Sequence, residues 1–397
     1  MEARGHLTAA EASAALGIKP ETLYAYVSLG LVRSEAAGGR ERRYRAEDIA
    51  ALARRRDPAA AAEAALSFGA PVLDSAITLI ADGRLYYRGR DAAVLAREAS
   101  IREVAALLWQ ADALAVFAPA NVLRLGEDFA LARRAAAGLR PVEQALALLP
   151  LAAAADGPSL DLTPAAVAMT SARLVRLLAA ILAGTEPSAR PIDAVLAEAW
   201  RVGARARPLL RAALILSADH ELNVSAFTAR CVASARANPY NAVIAGIAAL
   251  QGTRHGGESE RADAFLAEAL VAAEPEATAA AYLRRGERLP GFGHPLYPEG
   301  DPRSRLLIDL LEENGGPVVV AARPVAAAVE ALIGKRPNLD FALALLRRAL
   351  DLPYGAALGL FMLGRSLGWL AQAGEQYAEN RLIRPRARYI GPPVQAT

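Results

Sequence analysis

Three of the chain's four histidines stand among neighbours that suit them to chemistry. His294 lies in the run Pro290-Gly291-Phe292-Gly293-His294-Pro295, a composition that disfavours helix and sets the imidazole on a turn, where it is free to face a cleft. Asp301-Pro302-Arg303 follows closely, and a guanidinium there is a fixed cation able to take a carboxylate bidentately. In Asp219-His220-Glu221 an imidazole sits between two carboxylates that could simply satisfy it. The spacing is not that of a zinc-binding helix, so no metal is assigned. His255 is followed by Gly256-Gly257, which permit close backbone approach of a ligand and leave room beside the ring; a helix C-terminus with a surface histidine is the other reading. Asp340, after Arg336-Pro337-Asn338-Leu339, opens a helix, where a carboxylate serves as N-cap, as base, or as both. Arg365 and Arg384 stand in segments whose arginines are ordinarily solvated.

A scaffold must bring these residues together. The chain has 397 residues, ample for a large core, and 54% of them are hydrophobic against 6% aromatic. Alanine and leucine therefore carry the hydrophobicity, which favours helices packed closely on helices. A formal charge of +3 and a pI near 9.1 do not by themselves indicate nucleic acid. The single cysteine, Cys231, excludes an internal disulfide and fits a reducing compartment. Met1-Glu2-Ala3-Arg4 leads into a short amphipathic segment rather than a signal peptide. The apolar runs at 59–65 and 318–332 are broken by Glu63, or by Arg323 and Pro324, too soon to span a bilayer. These features predict a cytoplasmic protein with no membrane partner.

Residues 1–57 have a grammar of their own. Thr8 caps a predicted helix carrying Ala12, Ala15 and Leu16, a turn at 17–20 follows, and a second helix is expected over 21–29. Gly38-Gly39 then introduces the basic run Arg40-Glu41-Arg42-Arg43-Tyr44-Arg45, with a third helix from Ala46. Helix, turn, helix, basic hairpin and helix describe a winged helix-turn-helix; a helical appendage for protein contacts is the alternative. The pieces Thr22-Leu23-Tyr24-Ala25-Tyr26, Gly30-Leu31-Val32 and Arg43-Tyr44-Arg45 with Asp48-Ile49 resemble the MerR-type DNA-binding domain. That resemblance implies a second helix in the major groove, carrying Thr22 and Tyr24, and wing arginines Arg42 and Arg43 on phosphates. Tyr24 stands where the family often has arginine, and no long dimerising helix follows.

A linker is expected at 58–67. Beyond it, the apolar runs either side of Asp82-Gly83 predict a hairpin over 79–91, and 94–182 reads as helical scaffold broken at Pro119, Gly138, Pro141 and Gly157-Pro158. From about Phe68 to Gly391 the chain resembles the citrate synthase family, on the His220, Gly252–Gly257, Pro290–Arg303, Asn338-Leu339-Asp340, Arg365 and Arg384 segments taken in order. The resemblance implies a mainly α, two-domain helical citrate synthase fold behind the small winged helix-turn-helix. Its large domain would be 68–252 with 352–397, and its small domain 253–351. It also implies a homodimer and a condensation of acetyl-CoA with oxaloacetate that needs no cofactor. In it Asp340 is the base, His255 donates to the thioester oxygen, and His294 polarises and protonates the ketone. His220, Arg303, Arg365 and Arg384 hold oxaloacetate, Arg384 reaching across the dimer. Thr253-Arg254 and Glu258-Ser259 depart from the family's usual Pro-Leu and Ala-Asn, so the thioester pocket is expected to differ. Ala342-Leu343-Ala344 remove the polar support the base would have on its own helix. The same residues serve 2-methylcitrate synthesis from propionyl-CoA, and a metabolite-sensing regulator with a disabled body is a further alternative.

Overall fold

Thr8 and Glu11 satisfy each other's backbone at the first helix: Glu11 N–H donates to Thr8 Oγ at 3.2 Å and Thr8 N–H donates to the Glu11 carboxylate at 2.8 Å. This capping box starts α1 (Ala9–Leu16) where the threonine predicted it. The computed structural model describes residues 6–16, 18–28, 32–36, 42–49 and 73–392. The chain divides into two compact units, Met1–Asp74 and Ser75–Thr397.

In the first unit, α1 is followed by α2 (Pro20–Ser28). Strands β1 (His6–Leu7), β2 (Ser34–Ala36) and β3 (Arg42–Arg45) make an antiparallel sheet in the order β1-β3-β2. A helix occupies 46–49. Tyr44, on the inner face of β3, closes a small core with Ala12, Leu16, Leu23, Val32 and Ile49. The glycine turn at 38–39, Arg40, the 58–67 linker and the stretch where a dimerising helix would follow lie outside the described residues.

The second unit opens with the predicted hairpin, β4 (Thr78–Ala81) and β5 (Arg84–Tyr87), with β6 (Arg90–Asp91) added beside β5. Asp82 and Gly83 both take positive φ, 50° and 69°, the signature of the two-residue turn that suits strand twist. Its register turns Tyr87 inward, and that hydroxyl donates to Ile215 O at 2.9 Å, beside the His220 segment.

The remainder is helical. In order come α3 (Ala92–Glu98), α4 (Ile101–Trp109), α5 (Ala113–Val116), α6 (Glu127–Ala135), α7 (Pro141–Ala155) and α8 (Pro164–Ala183). There follow α9 (Ile192–Ala199), α10 (Arg207–Leu216), α11 (Val224–Ser234), α12 (Pro239–Leu250) and α13 (Gly257–Val271). The last are α14 (Pro275–Arg284), α15 (Pro302–Asn314), α16 (Pro317–Ile333), α17 (Leu339–Ala349) and α18 (Ala356–Glu379). Side chains start many of them: Asp91, Ser100, Asp112, Asn223, Asn238 and Asp301 each accept a first-turn N–H. α8 is long and apolar enough to cross a membrane, yet 78% of its apolar window is buried within the unit, as in a core helix.

α18 organises the unit, packing on α8, α10, α11, α12 and α17 with almost every residue from Ala356 to Ala373 buried. Its glycines permit this: a Cβ on Gly359 would strike Leu182, one on Gly364 would strike Leu214 O at 2.5 Å, and one on Gly368 would overlap Ala218 O and Asp219. The close approach carries Arg365 to the 217–220 segment. Helices α13, α14, α15, α16 and α17 pack on one another, with α13 and α17 also meeting α18.

Candidate active site

The His294 loop and the Asp340 helix are one mechanical piece. Gly291 and Gly293 hold φ of 84° and 76°, which L side chains rarely adopt, and so bend the loop toward the 336–338 segment. Gly293 N–H donates to Arg336 O at 2.8 Å, Asn338 N–H to Gly291 O at 2.9 Å, and Asn338 Nδ2 to Gly293 O at 3.0 Å. Asn338 Oδ1 also accepts from Asp340 N–H at 3.0 Å. Asn338 is therefore the N-cap of α17, correcting the expectation that Asp340 caps it, and the aspartate's carboxylate is released for other work.

Leu296 N–H donates to His294 Nδ1 at 3.2 Å, which leaves the proton of a neutral ring on Nε2. Burial and then Arg303 lower this imidazole to about 4. The His220 ring meets it edge-on at 5.0 Å, and His220 Nε2 bonds to the Tyr297 hydroxyl at 3.0 Å. The flanking Asp219 and Glu221 do not satisfy His220, contrary to the simplest reading of that tripeptide; Tyr297, three residues past His294, does. Burial, and then Arg303 and His294, push His220 well below its ordinary value.

Arg303 and Arg365 are both buried, with 5% and 1% exposure. Arg303 Nε and one terminal nitrogen bond Asp301 at 2.9 and 2.8 Å. The bidentate edge expected for a ligand is thus spent within the protein, and the guanidinium offers its remaining terminal donors. Burial works against the Asp301 carboxylate, but Arg303 outweighs it and holds the group low. Arg365 donates through Nε to Ser217 O at 2.7 Å, stacks over Phe361 at 4.8 Å, and makes no further hydrogen bond among the described residues. Burial lowers it to about 10, so it remains a cation at neutral pH. The charge that most offsets this burial is Asp219, itself raised by burial to about 6.

Asp340 keeps part of its surface exposed, yet its low-dielectric surroundings raise it to about 7. Ser259 Oγ donates to its Oδ1 in a short bond. Ser259 stands in α13, so the support that Ala342-Leu343-Ala344 cannot supply comes from the other side of the carboxylate. Glu258 works against ionisation. His255 Nε2 meets Ser225 Oγ at 2.6 Å, and Ser225 also accepts from Trp369 Nε1 at 3.1 Å. Burial and then Arg365 lower His255 to about 3. Gly256 and Gly257 do not make room for a ligand as expected: added Cβ atoms would strike Leu250 and Gln251 O, so the turn's own backbone requires them.

Six of the seven expected residues thus share one region, with the charge of Arg365 bearing on His220, His255, His294 and Asp340. Arg384 lies apart, exposed on the segment without regular structure after α18. Residues 66–386 match the citrate synthase, C-terminal domain, family, and residues 7–56 match the MerR helix-turn-helix family of regulatory proteins. The chain belongs to the citrate synthase family. It is 31% identical over 360 residues to citrate synthase 2 of Bacillus subtilis, covering 82% of this chain and 95% of that one. Over 187 residues it is 35% identical to 2-methylcitrate synthase 2 of Corynebacterium glutamicum, covering 45% and 48% of the two chains. Its fold matches a Thermoplasma acidophilum citrate synthase solved with carboxymethyl coenzyme A and oxaloacetate, at TM-score 0.71 and 24% identity over 82% of this chain and 95% of that one.

As a citrate synthase family body preceded by a MerR domain, the chain presents a second candidate surface. Thr22 and Tyr24 are exposed on α2, Tyr24 at 51%. Arg42 is exposed on β3 and reaches Ser34 Oγ at 3.3 Å, while Arg43 is half-buried beside it. Arg45, by contrast, pairs with Glu47 at 3.1 Å. Sequence reasoning missed Ser225, Ser259, Tyr297 and Trp369. Tyr297 had a signal in its closeness to His294, whereas the other three become relevant only when remote segments meet.

Proposed function

We propose that the chain condenses acetyl-CoA with oxaloacetate to give citrate and coenzyme A. The observation that carries this reading is the gathering of one carboxylate near neutrality and three neutral imidazoles around two buried arginines. A thioester methyl group is a very weak acid, and an aspartate of ordinary pKa, about 3.9, is a poor base for it. Asp340, raised to about 7, is a better one. Ser225 has a single hydroxyl proton. Asn223 Oδ1, at 2.9 Å, competes for it; when it goes instead to His255 Nε2, the ring's own proton sits on Nδ1, from which it donates to the oxygen of the forming enolate. The enolate carbon then attacks the ketone of oxaloacetate, whose oxygen is polarised by His294 Nε2–H; as the carbon–carbon bond forms that oxygen is protonated through His294, and the proton Asp340 took from the methyl group restores the ring through water. Arg303, Arg365 and His220 hold the dianion, with Arg384 supplied by a second copy of the chain in a homodimer. Water then hydrolyses the citryl thioester. Closure of a small domain, 253–351, would shield the enolate from solvent.

The base must be ionised to act, and its ionised fraction falls tenfold per pH unit below its pKa. We therefore expect the acid limb of kcat/KM to fall near pH 7. Ser259→Ala removes a bond that lowers this pKa, so the limb should move upward. A limb near 4 in the wild type would show that the base titrates as an ordinary aspartate and that burial does not raise it.

The similarity to a 2-methylcitrate synthase supports propionyl-CoA as a second acyl donor. Coenzyme A release from acetyl-CoA and propionyl-CoA, each with and without oxaloacetate, decides between them. A regulator with a disabled body would release it from neither.

The MerR domain supports DNA binding through α2 and the wing. Arg42→Ala with Arg43→Ala should weaken binding to all sequences alike and reduce the salt slope by about 2, since each phosphate contact contributes close to one. Mobility shifts across a salt series test this. An unchanged slope would place the phosphate contacts elsewhere.

A further inference from the structure

Helices of the 94–182 scaffold, with the residues that follow as far as Arg211, border a cavity of about 170 Å³. A water needs only about 10–15 Å³ of such space, so the cavity has room for a multi-atom ligand. Arg102, Arg176, Arg190, Arg207 and Arg211 line it against a single acid, Asp193. The five come from four separate segments: the start of α4, the middle of α8, the entry to α9 and the first half of α10.

Two of the arginines are neutralised locally, Arg207 by Asp193 at 3.0 Å and Arg190 by Glu198. The other three are not. Arg176 is only 3% exposed, and its guanidinium donates to neutral carbonyls alone, those of Phe117, Ala118 and Asn121. Arg102 makes no hydrogen bond or ion pair among the described residues. Arg211 donates to Arg97 O at 3.2 Å, while its Nε is buried without a partner.

Holding the 117–121 turn accounts for Arg176, but not for four more guanidinium groups converging on the same space. The first turns of α4, α9 and α10 also border the cavity, and helix N-termini add positive potential there. Collected cations are costly unless an anion completes them. Guanidinium forks match phosphate oxygens in geometry, and the volume exceeds what one phosphate needs.

We propose that this cavity is a binding site for a compact polyanion bearing a di- or triphosphate group, separate from the catalytic site. α10 links the two, since the helix carrying Arg207 and Arg211 ends directly before Ser217 and His220. Calorimetry of the full-length protein with sodium tripolyphosphate tests the proposal. One ion per chain should bind saturably, and Arg102→Gln with Arg211→Gln should weaken it at least tenfold. Arg102→Gln alone, at an exposed side chain, should weaken binding several-fold without changing the melting temperature, which separates ligand loss from misfolding. Arg365→Gln in the catalytic site and Arg42→Ala with Arg43→Ala in the wing should leave the affinity unchanged. The site is refuted by absent saturable binding, or by binding that survives the cavity changes and is lost with either control.

Discussion

Asp340→Asn is expected to abolish condensation while leaving oxaloacetate affinity intact. A positioned base contributes about 10²- to 10⁴-fold to rate, and the amide cannot take a proton at any working pH. Other features of the site survive the change. Asn338 still caps α17, because the cap belongs to that residue and not to Asp340. Ser259 still finds an acceptor in the amide oxygen, and the arginines are untouched. Coenzyme A release measures the first effect and calorimetry with oxaloacetate the second. Turnover within a few-fold of wild type would show that Asp340 is not the base.

Arg365→Gln is expected to weaken oxaloacetate binding by about 2 to 5 kcal/mol, the range for removing one partner of a buried charge pair. This position is cleaner than Arg303, because Arg303 neutralises the buried Asp301. Arg303→Ala would strand that carboxylate, and the protein would lose stability along with affinity. Arg365 has no such bidentate partner: its Nε bond to Ser217 O is its one hydrogen bond among the described residues, and Asp219, whose charge it offsets, keeps the Thr78 hydroxyl as donor at 2.6 Å. Binding should therefore fall much further than melting temperature. An affinity unchanged in Arg365→Gln would place the dianion elsewhere.

What could be read before folding was whatever short-range chemistry decides. The Thr8 cap and the Asp82-Gly83 turn between apolar runs each carry their reason within four residues, and both formed as expected; the reciprocal bond from Glu11 came in addition. β1 did not announce itself, because two residues become a strand only by pairing with β3. The Asp340 helix shows the same limit: its sequence points to Asp340 as the cap, whereas the Gly291–Gly293 loop draws Asn338 into its hydrogen bonds and makes that residue the cap. Asp301 was read as the neighbour of a ligand-binding arginine and proved to be its partner. The residue types of the site were legible because imidazoles and guanidinium groups are conspicuous. Their supports, Ser225, Ser259 and Trp369, were not, since a serine or tryptophan in a helix has no local mark until another segment packs on it.

The most direct test of the account is coenzyme A release by the full-length protein, followed with acetyl-CoA and with propionyl-CoA in the presence and absence of oxaloacetate. Release is expected from acetyl-CoA only when oxaloacetate is present, with citrate formed in equal amount. Release that ignores oxaloacetate, or none from either thioester when it is supplied, would contradict it.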